Sequence, residues 1–184
     1  MKWIIAADLH GSAYYCRELC RLFREEGGER LLLLGDLLYH GPRNDLPRDY
    51  EPKAVINLLN GLKENIVAVR GNCEAEVDQA VLDFPVLASY AYICDGAVTV
   101  FATHGHRYNE HNVPPLARGT ILLNGHTHVP KCVVHERYVY MNPGSLSLPK
   151  EGSRHGYLVW DGTVFTWKDT DGASIMTYHA GQAE

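Results

Sequence analysis

Trp3 to Ala7, Leu31 to Leu34 and Ile66 to Val69 are unbroken apolar runs too short to be buried helices, and none alternates as a half-exposed strand would. Between them, Ala13 to Glu26 and Lys53 to Leu62 carry apolar residues at helical spacing. Strands that are apolar on both faces must be covered on both faces, so the first half reads as β-α-β-α-β with parallel strands inside. Pro52 stands where the first turn of the second helix begins, and Gly27-Gly28 ends the first helix. From about Tyr90 the texture changes to short β-type runs joined by turns. Tyr90 to Cys94 and Ala97 to Thr103 flank Asp95-Gly96, and Gly156 to Trp160 and Thr163 to Lys168 flank Asp161-Gly162, two hairpin signals. Thr120 to Asn124 and Val139 to Met141 read as further strands. The architecture expected is α/β: a two-sheet β-sandwich flanked by helices.

With 184 residues, 46% of them hydrophobic, the chain is long enough to bury a substantial core, and one domain over 1-184 is expected. Its 17 basic and 22 acidic residues give a net charge of -5, the wrong sign for holding long nucleic acid by counterion release. The apolar start, Met1 to Ala7, stops at Asp8, far short of the roughly 20 residues of a membrane span. A soluble cytoplasmic protein is expected, with no membrane association and with room for a homo-oligomer. Cys16, Cys20, Cys73, Cys94 and Cys132 show no paired spacing, which argues against a disulfide framework or a cysteine zinc site. There is no internal repeat, and the polar tail Gly181 to Glu184 is expected to be frayed.

Each predicted strand of the first half is followed by a polar residue ill suited to a core: Asp8, Asp36 and Asn72. Carboxyl ends of neighbouring parallel strands lie side by side, so three groups distant in sequence are expected to converge in one crevice. Gly35 and Gly71 precede two of them and allow close backbone approach. Histidines repeat the logic: His10 lies two residues after Asp8, His104 follows the run ending at Thr103, and His126 and His128 follow Asn124. On extended backbone, residues i and i+2 point the same way, which makes Asp8/His10 and His126/His128 two pairs of ligands. One such histidine alone is more often a surface or hydrogen-bonded residue, and one such Asp or Asn a cap. Seven nitrogen and oxygen donors, each at the end of an apolar run, are not explained that way.

The ordered motifs Asp8-Leu9-His10, Gly35-Asp36, Gly71-Asn72-Cys73-Glu74, His104-Gly105-His106 and Gly125-His126-Thr127-His128 resemble those of the calcineurin-like metallophosphoesterase family. With His40-Gly41-Pro42-Arg43-Asn44 and Asn142-Pro143-Gly144-Ser145, the closer likeness is to the small bacterial YfcE-type phosphodiesterases. The resemblance implies a four-layer α/β/β/α fold. It puts Asp8, His10, Asp36 and His128 on one divalent metal, and Asn72, His104 and His126 on a second that Asp36 bridges. Mixed carboxylate, amide and imidazole ligands without thiolate suit Mn²⁺, Fe, Co²⁺, Ni²⁺ or Zn²⁺, and the resemblance favours Mn²⁺. It further implies hydrolysis of small phosphodiesters by a metal-bridging hydroxide.

Four other residues and one turn are read separately. Arg43 is as well placed for a bidentate phosphate contact as for a solvated loop, and His40 shares its loop. His106 is a candidate to orient a ligand or touch substrate, with loop packing the plain alternative. Asn142 to Ser145 alone is an ordinary turn, and only the family likeness makes it a support of the site. Cys73 departs from the family pattern, which often has histidine there as proton donor to the leaving group; the thiol is a weak donor or a space-filler, and not the nucleophile. The rival functions are a phosphomonoesterase or nuclease with the same two-metal site, and a non-catalytic scaffold of the same fold such as that of the retromer complex. The scaffold reading calls for lost ligands, and none is lost in this sequence.

Overall fold

A computed structural model describes residues 1–181; residues 182–184, and with them the expectation of a frayed tail, lie outside the described residues. The elements in order are β1 (Lys2–Ala6), α1 (Ala13–Glu25), β2 (Arg30–Leu33), α2 (Pro52–Asn60), a 3-10 turn (Lys63–Asn65), β3 (Ile66–Ala68) and α3 (Glu76–Gln79). Eight strands follow: β4 (Ala91–Asp95), β5 (Val98–Ala102), β6 (Thr120–Leu123), β7 (Pro130–Val134), β8 (Tyr138–Pro143), β9 (Gly156–Asp161), β10 (Val164–Asp169) and β11 (Ser174–His179). Together with β1, β2 and β3 these form a six-stranded sheet in the order β11-β10-β9-β1-β2-β3 and a five-stranded sheet in the order β4-β5-β6-β8-β7. This is the two-sheet α/β sandwich expected. No helix is long and apolar enough to cross a membrane, among the described residues.

The apolar runs are strands because each has a layer on both sides. Trp3, Ile5, Leu32 and Leu34 face the other sheet and pack with Val100, Ile121, Leu123, Met141, Trp160 and Trp167. Ile4, Ala6, Leu31 and Leu33 face the helices and meet Cys16, Leu19, Phe23, Val55 and Leu59. In α1 the buried Cys16, Leu19, Cys20 and Phe23 recur at i, i+3, i+4 and i+7, and the Ser12 side chain caps the start by accepting from Tyr15 N at 3.3 Å. Pro52 is in the first turn of α2. The outer face of the second sheet carries Phe101, Leu122 and Tyr140, which pack with Leu116 from the irregular segment after β5 instead of with a helix.

Topology carries the rest of the argument. β1, β2 and β3 are mutually parallel, as are β5, β6 and β8. Their carboxyl ends lie in register, with Ala6 beside Leu33 beside Ala68 in one sheet and Ala102 beside Leu123 beside Met141 in the other. Six chain segments therefore leave the sandwich at one end. The strands β7 and β11, which no apolar run announces, are edges; their half-exposed residues leave only a weak pattern.

Candidate metal centre

Asp8 follows β1, Asp36 follows β2, Asn72 follows β3, His104 follows β5, and His126 and His128 follow β6. The loops are tied edge to edge by Asp8 N to Gly35 O at 3.1 Å, His10 N to Asp36 O at 2.9 Å and Gly125 N to His104 O at 2.8 Å. The loops of the two sheets are joined as well, with His126 N donating to Asp8 Oδ2 at 2.9 Å. Gly35, at φ +90°, has no room for a side chain, because a Cβ would stand 2.5 Å from Gly71 N.

The backbone here differs from the expectation of extended i, i+2 pairs. Asp8, His10, Asp36, His126 and His128 are all left-handed, with φ of 58°, 48°, 55°, 68° and 63°. Among the described residues, only two other non-glycine residues, Asp49 and Glu151, share that region. Each such residue costs roughly 1–3 kcal/mol, and strain of this kind concentrates where side chains must be aimed. The aim is also different for the second pair. His128 Nε2 lies 3.2 Å from His10 Nε2 and 3.4 Å from Asp8 Oδ1. His126 Nδ1 instead lies 3.2 Å from His104 Nε2, which is itself 3.1 Å from Asn72 Oδ1. Asp36 Oδ2 stands between the groups, 3.8 Å from His10 Nε2 and 3.5 Å from His104 Nε2.

These contacts fit cations better than hydrogen bonds. His10 Nδ1 is 2.8 Å from Tyr39 O, His128 Nδ1 is 2.6 Å from Leu148 O and His104 Nδ1 is 2.6 Å from Leu34 O. A carbonyl accepts only, so each Nδ1 carries the hydrogen and each neutral ring presents a lone pair at Nε2. Lone pairs then face one another across 3.2 Å, beside an Asp8 Oδ1 that is buried with no partner. A positive ion resolves both conflicts. In the metal-free chain a proton is held beside Asp36 on the other ring: burial lowers His104, but Asp36 and Asp8 outweigh it and raise the ring up to about 9. Burial lowers His10 and His126, while Asp36, raised by burial but held down by His104, stays well below the usual carboxylate range.

Residues outside the seven donors hold them. The buried Glu74 carboxylate accepts from Asp36 N at 2.9 Å, Leu37 N at 2.7 Å and Gly71 N at 2.5 Å, and so fastens the loops after β2 and β3 together. Ser145 Oγ and Ser147 Oγ both donate to Asp8 O, at 2.9 and 2.8 Å, and Asn142 Nδ2 donates to Gly125 O at 2.7 Å. The Asn142-to-Ser145 segment, which ends β8 instead of forming a free-standing turn, thus braces two donor loops.

A cavity of about 440 Å³ opens over these groups. His10, Asp36, Asn72, Cys73, His126 and His128 line it, and Arg43 reaches its wall from the Gly41-Pro42 loop. Asn44, Thr127 and Lys150 also line it; Asn44 and Thr127 belong to the motifs His40 to Asn44 and Gly125 to His128, whereas Lys150, an isolated loop residue, carries no sequence signal of that role. His40 is not on the wall: its ring packs edge-on between Tyr39 and Tyr50, with centroids at 4.7 and 5.2 Å. His106 faces a neighbouring cavity, its ring 5.4 Å from that of His104, and burial followed by the charge of His104 lowers it to about 4. Cys73 Sγ donates to Asp36 Oδ2 at 3.3 Å. Burial and then Asp36 push this thiol far up, so it holds its proton and is a poor nucleophile.

Residues 1–163 match the family model described as the calcineurin-like phosphoesterase superfamily domain. The chain is 40% identical over 166 residues to the phosphodiesterase YfcE of Escherichia coli K12, covering 90% of each. The solved structure of the E. coli YfcE phosphoesterase superposes with a TM-score of 0.96 at 37% identity, over 98% of this chain and 100% of that one. Vacuolar Protein Sorting 29 from Cryptosporidium parvum shares the fold, with a TM-score of 0.60 at 16% identity over 97% of both chains.

Proposed function

Because this chain belongs to the calcineurin-like phosphoesterase superfamily and is a hydrolase of phosphoester bonds, we propose that it cleaves small, soluble phosphodiesters in the cytoplasm with a pair of divalent cations, Mn²⁺ first among them. Asp8, His10, Asp36 and His128 hold one cation, and Asp36, Asn72, His104 and His126 hold the other. The observation that carries this reading is the set of facing lone pairs, divided between His10/His128 and His104/Asn72 with Asp36 within 4 Å of both. When bound, two such cations supply Lewis acidity toward the phosphoryl oxygens and activate a water molecule.

The chain's own residues do the remaining work. The Nδ1 bonds to Tyr39, Leu148 and Leu34 keep three imidazoles in the tautomer that can ligate, and Glu74 holds the Asp36 and Asn72 loops at fixed separation. Arg43 and Lys150, on the cavity wall, neutralise and orient the phosphate from outside. Cys73 keeps its proton and fills the space beside Asp36. A scaffold has no need of seven converging donors, five of them held in left-handed strain.

The reading is tested by stripping the protein with a chelator and assaying bis(p-nitrophenyl) phosphate. Turnover is expected to vanish and to return with Mn²⁺, and p-nitrophenyl phosphate is expected to be the poorer substrate. Full activity in the stripped protein removes the proposal, and a preference for the monoester turns it toward a phosphomonoesterase.

A further inference from the structure

A second cavity, of about 450 Å³, adjoins the candidate metal centre. His106 lines it, with its ring 5.4 and 6.3 Å from those of His104 and His126, and Arg70, two residues before Asn72, lines it from the loop after β3. The cavity and the metal centre are thus about one histidine ring apart. Nothing in the arrangement of the seven donors uses this space.

Its wall combines two chemistries. Tyr90 and Tyr108 are 49% and 37% exposed, yet both are held by the buried Phe101. Tyr90 stacks on that ring at 5.0 Å and 20°, and Tyr108 meets it edge-on at 6.0 Å and 75°. The segment bearing Tyr108 is itself pinned, since Asn109 Nδ2 donates to Gly105 O and Asn112 Nδ2 donates to Arg107 O, each at 2.9 Å. These rings are fixed aromatic surfaces facing water, a costly way to expose apolar area unless something stacks on them. Beside them stand Arg70 and Arg107. Arg70 Nε donates to Glu74 O at 3.2 Å, which positions the guanidinium, and neither arginine has a carboxylate within ion-pair distance among the described residues. Two uncompensated guanidinium groups in one cavity of a chain with net charge -5 mark a place for an anion. An apolar ligand needs no arginines, and inorganic phosphate needs no tyrosines.

We propose that this cavity receives the second arm of the phosphodiester and selects one that joins a flat aromatic ring to a further anionic group, as a nucleotide does. The ring lies against Tyr90 and Tyr108, and the extra anion meets Arg70 and Arg107. This assignment rests on the phosphodiesterase reading above and narrows it to a substrate class.

The test uses two p-nitrophenyl phosphodiesters with the Mn²⁺-loaded protein, one with a methyl second arm and one with adenosine 3′-phosphate joined through its 5′ oxygen. The nucleotide ester is expected to have the higher kcat/KM by about tenfold or more, mainly through KM, the scale of one stacked base. Tyr108→Ala and Arg107→Gln should each shrink that ratio about tenfold, and Tyr108→Phe, which keeps the ring, should preserve it. Reading a ratio within each preparation cancels losses of metal or fold. A ratio near one in the parent, or a ratio the variants leave alone, overturns the proposal and leaves the patch to a protein partner. If neither ester is hydrolysed, the phosphodiesterase reading fails instead, and the cavity is judged by calorimetric titration of adenosine 3′,5′-bisphosphate against ribose 5-phosphate. Preference for the bisphosphate that Tyr108→Ala weakens upholds the cavity; equal binding of the two overturns it.

Discussion

Glu74→Gln removes a charge without removing volume, at a point where three backbone N–H groups from two loops meet one carboxylate. Oε2 accepts from Asp36 and Gly71, and Oε1 from Leu37. An amide whose oxygen takes the first position turns its NH₂ toward Leu37 N–H, so two bonds survive in neutral form and one donor is buried without an acceptor. Bonds to a charged group are worth roughly 1.5–3 kcal/mol each, neutral ones about 1, and an unsatisfied buried donor costs about 1–3. Burial, and after it the charge of Asp36, already raise this carboxyl, so relieving the charge returns part of the loss. The net destabilisation expected is about 2–4 kcal/mol, a fall of about 5–15 °C in midpoint for a domain of this size. Thermal and denaturant unfolding of the metal-free protein measure it directly. Because the same bonds set the spacing of Asp36 and Asn72, the variant should also need more Mn²⁺ for half-maximal turnover while recovering much of its kcat at saturation. A midpoint within about 2 °C of the parent refutes the clamp.

Asp36→Asn, which weakens a ligand shared by both cations, is expected to lower kcat/KM at least about a hundredfold, against about tenfold and mainly through KM for Arg43→Ala; equal, mild losses on a kinetic assay refute the bridge. Rates in the parent should fall steeply as the leaving alcohol becomes more basic, and Cys73→His should flatten that dependence by supplying part of the roughly 10²- to 10⁴-fold open to general acid catalysis. Comparing aryl and alkyl esters in both proteins checks it, and a shallow dependence in the parent points to another donor such as His106. In the metal-free protein His104 is raised from 6.5 to about 9, chiefly by Asp36 against the opposing effect of burial. That stabilisation is complete below pH 6.5 and is lost as pH rises through 9, so the metal-free midpoint should fall across that window. Mn²⁺ affinity should rise across the same window, since the cation displaces the proton, and calorimetry in buffers of differing ionisation enthalpy should detect its release. A flat midpoint together with flat affinity contradicts the assignment.

What can be read along the chain is periodicity and where it stops. Apolar runs covered on both faces announce β1, β2 and β3, amphipathic spacing announces α1 and α2, and Asp-Gly pairs announce the β4–β5 and β9–β10 hairpins, because each signal is carried by residues close in sequence. The donors Asp8, Asp36, Asn72, His104, His126 and His128 are legible for the same reason, as polar residues placed after the strands. The edge strands β7 and β11 are not, since half-exposed edges have no one-sided apolar requirement. Nor do spacing and periodicity show the left-handed turns that send His126 toward His104 and His128 toward His10; only the family resemblance separates these two histidines, which lie two residues apart. Their directions follow from the loops they pack against, including a hydrogen bond from His126 to a carboxylate 118 residues away. Glu74 looks like a surface charge until the loops after β2 and β3 close on it, and the Tyr90/Tyr108 cavity exists only where the segments after β3 and β5 meet. Local sequence determines which groups are available at each strand end, whereas the register of two packed sheets decides which of them face one another.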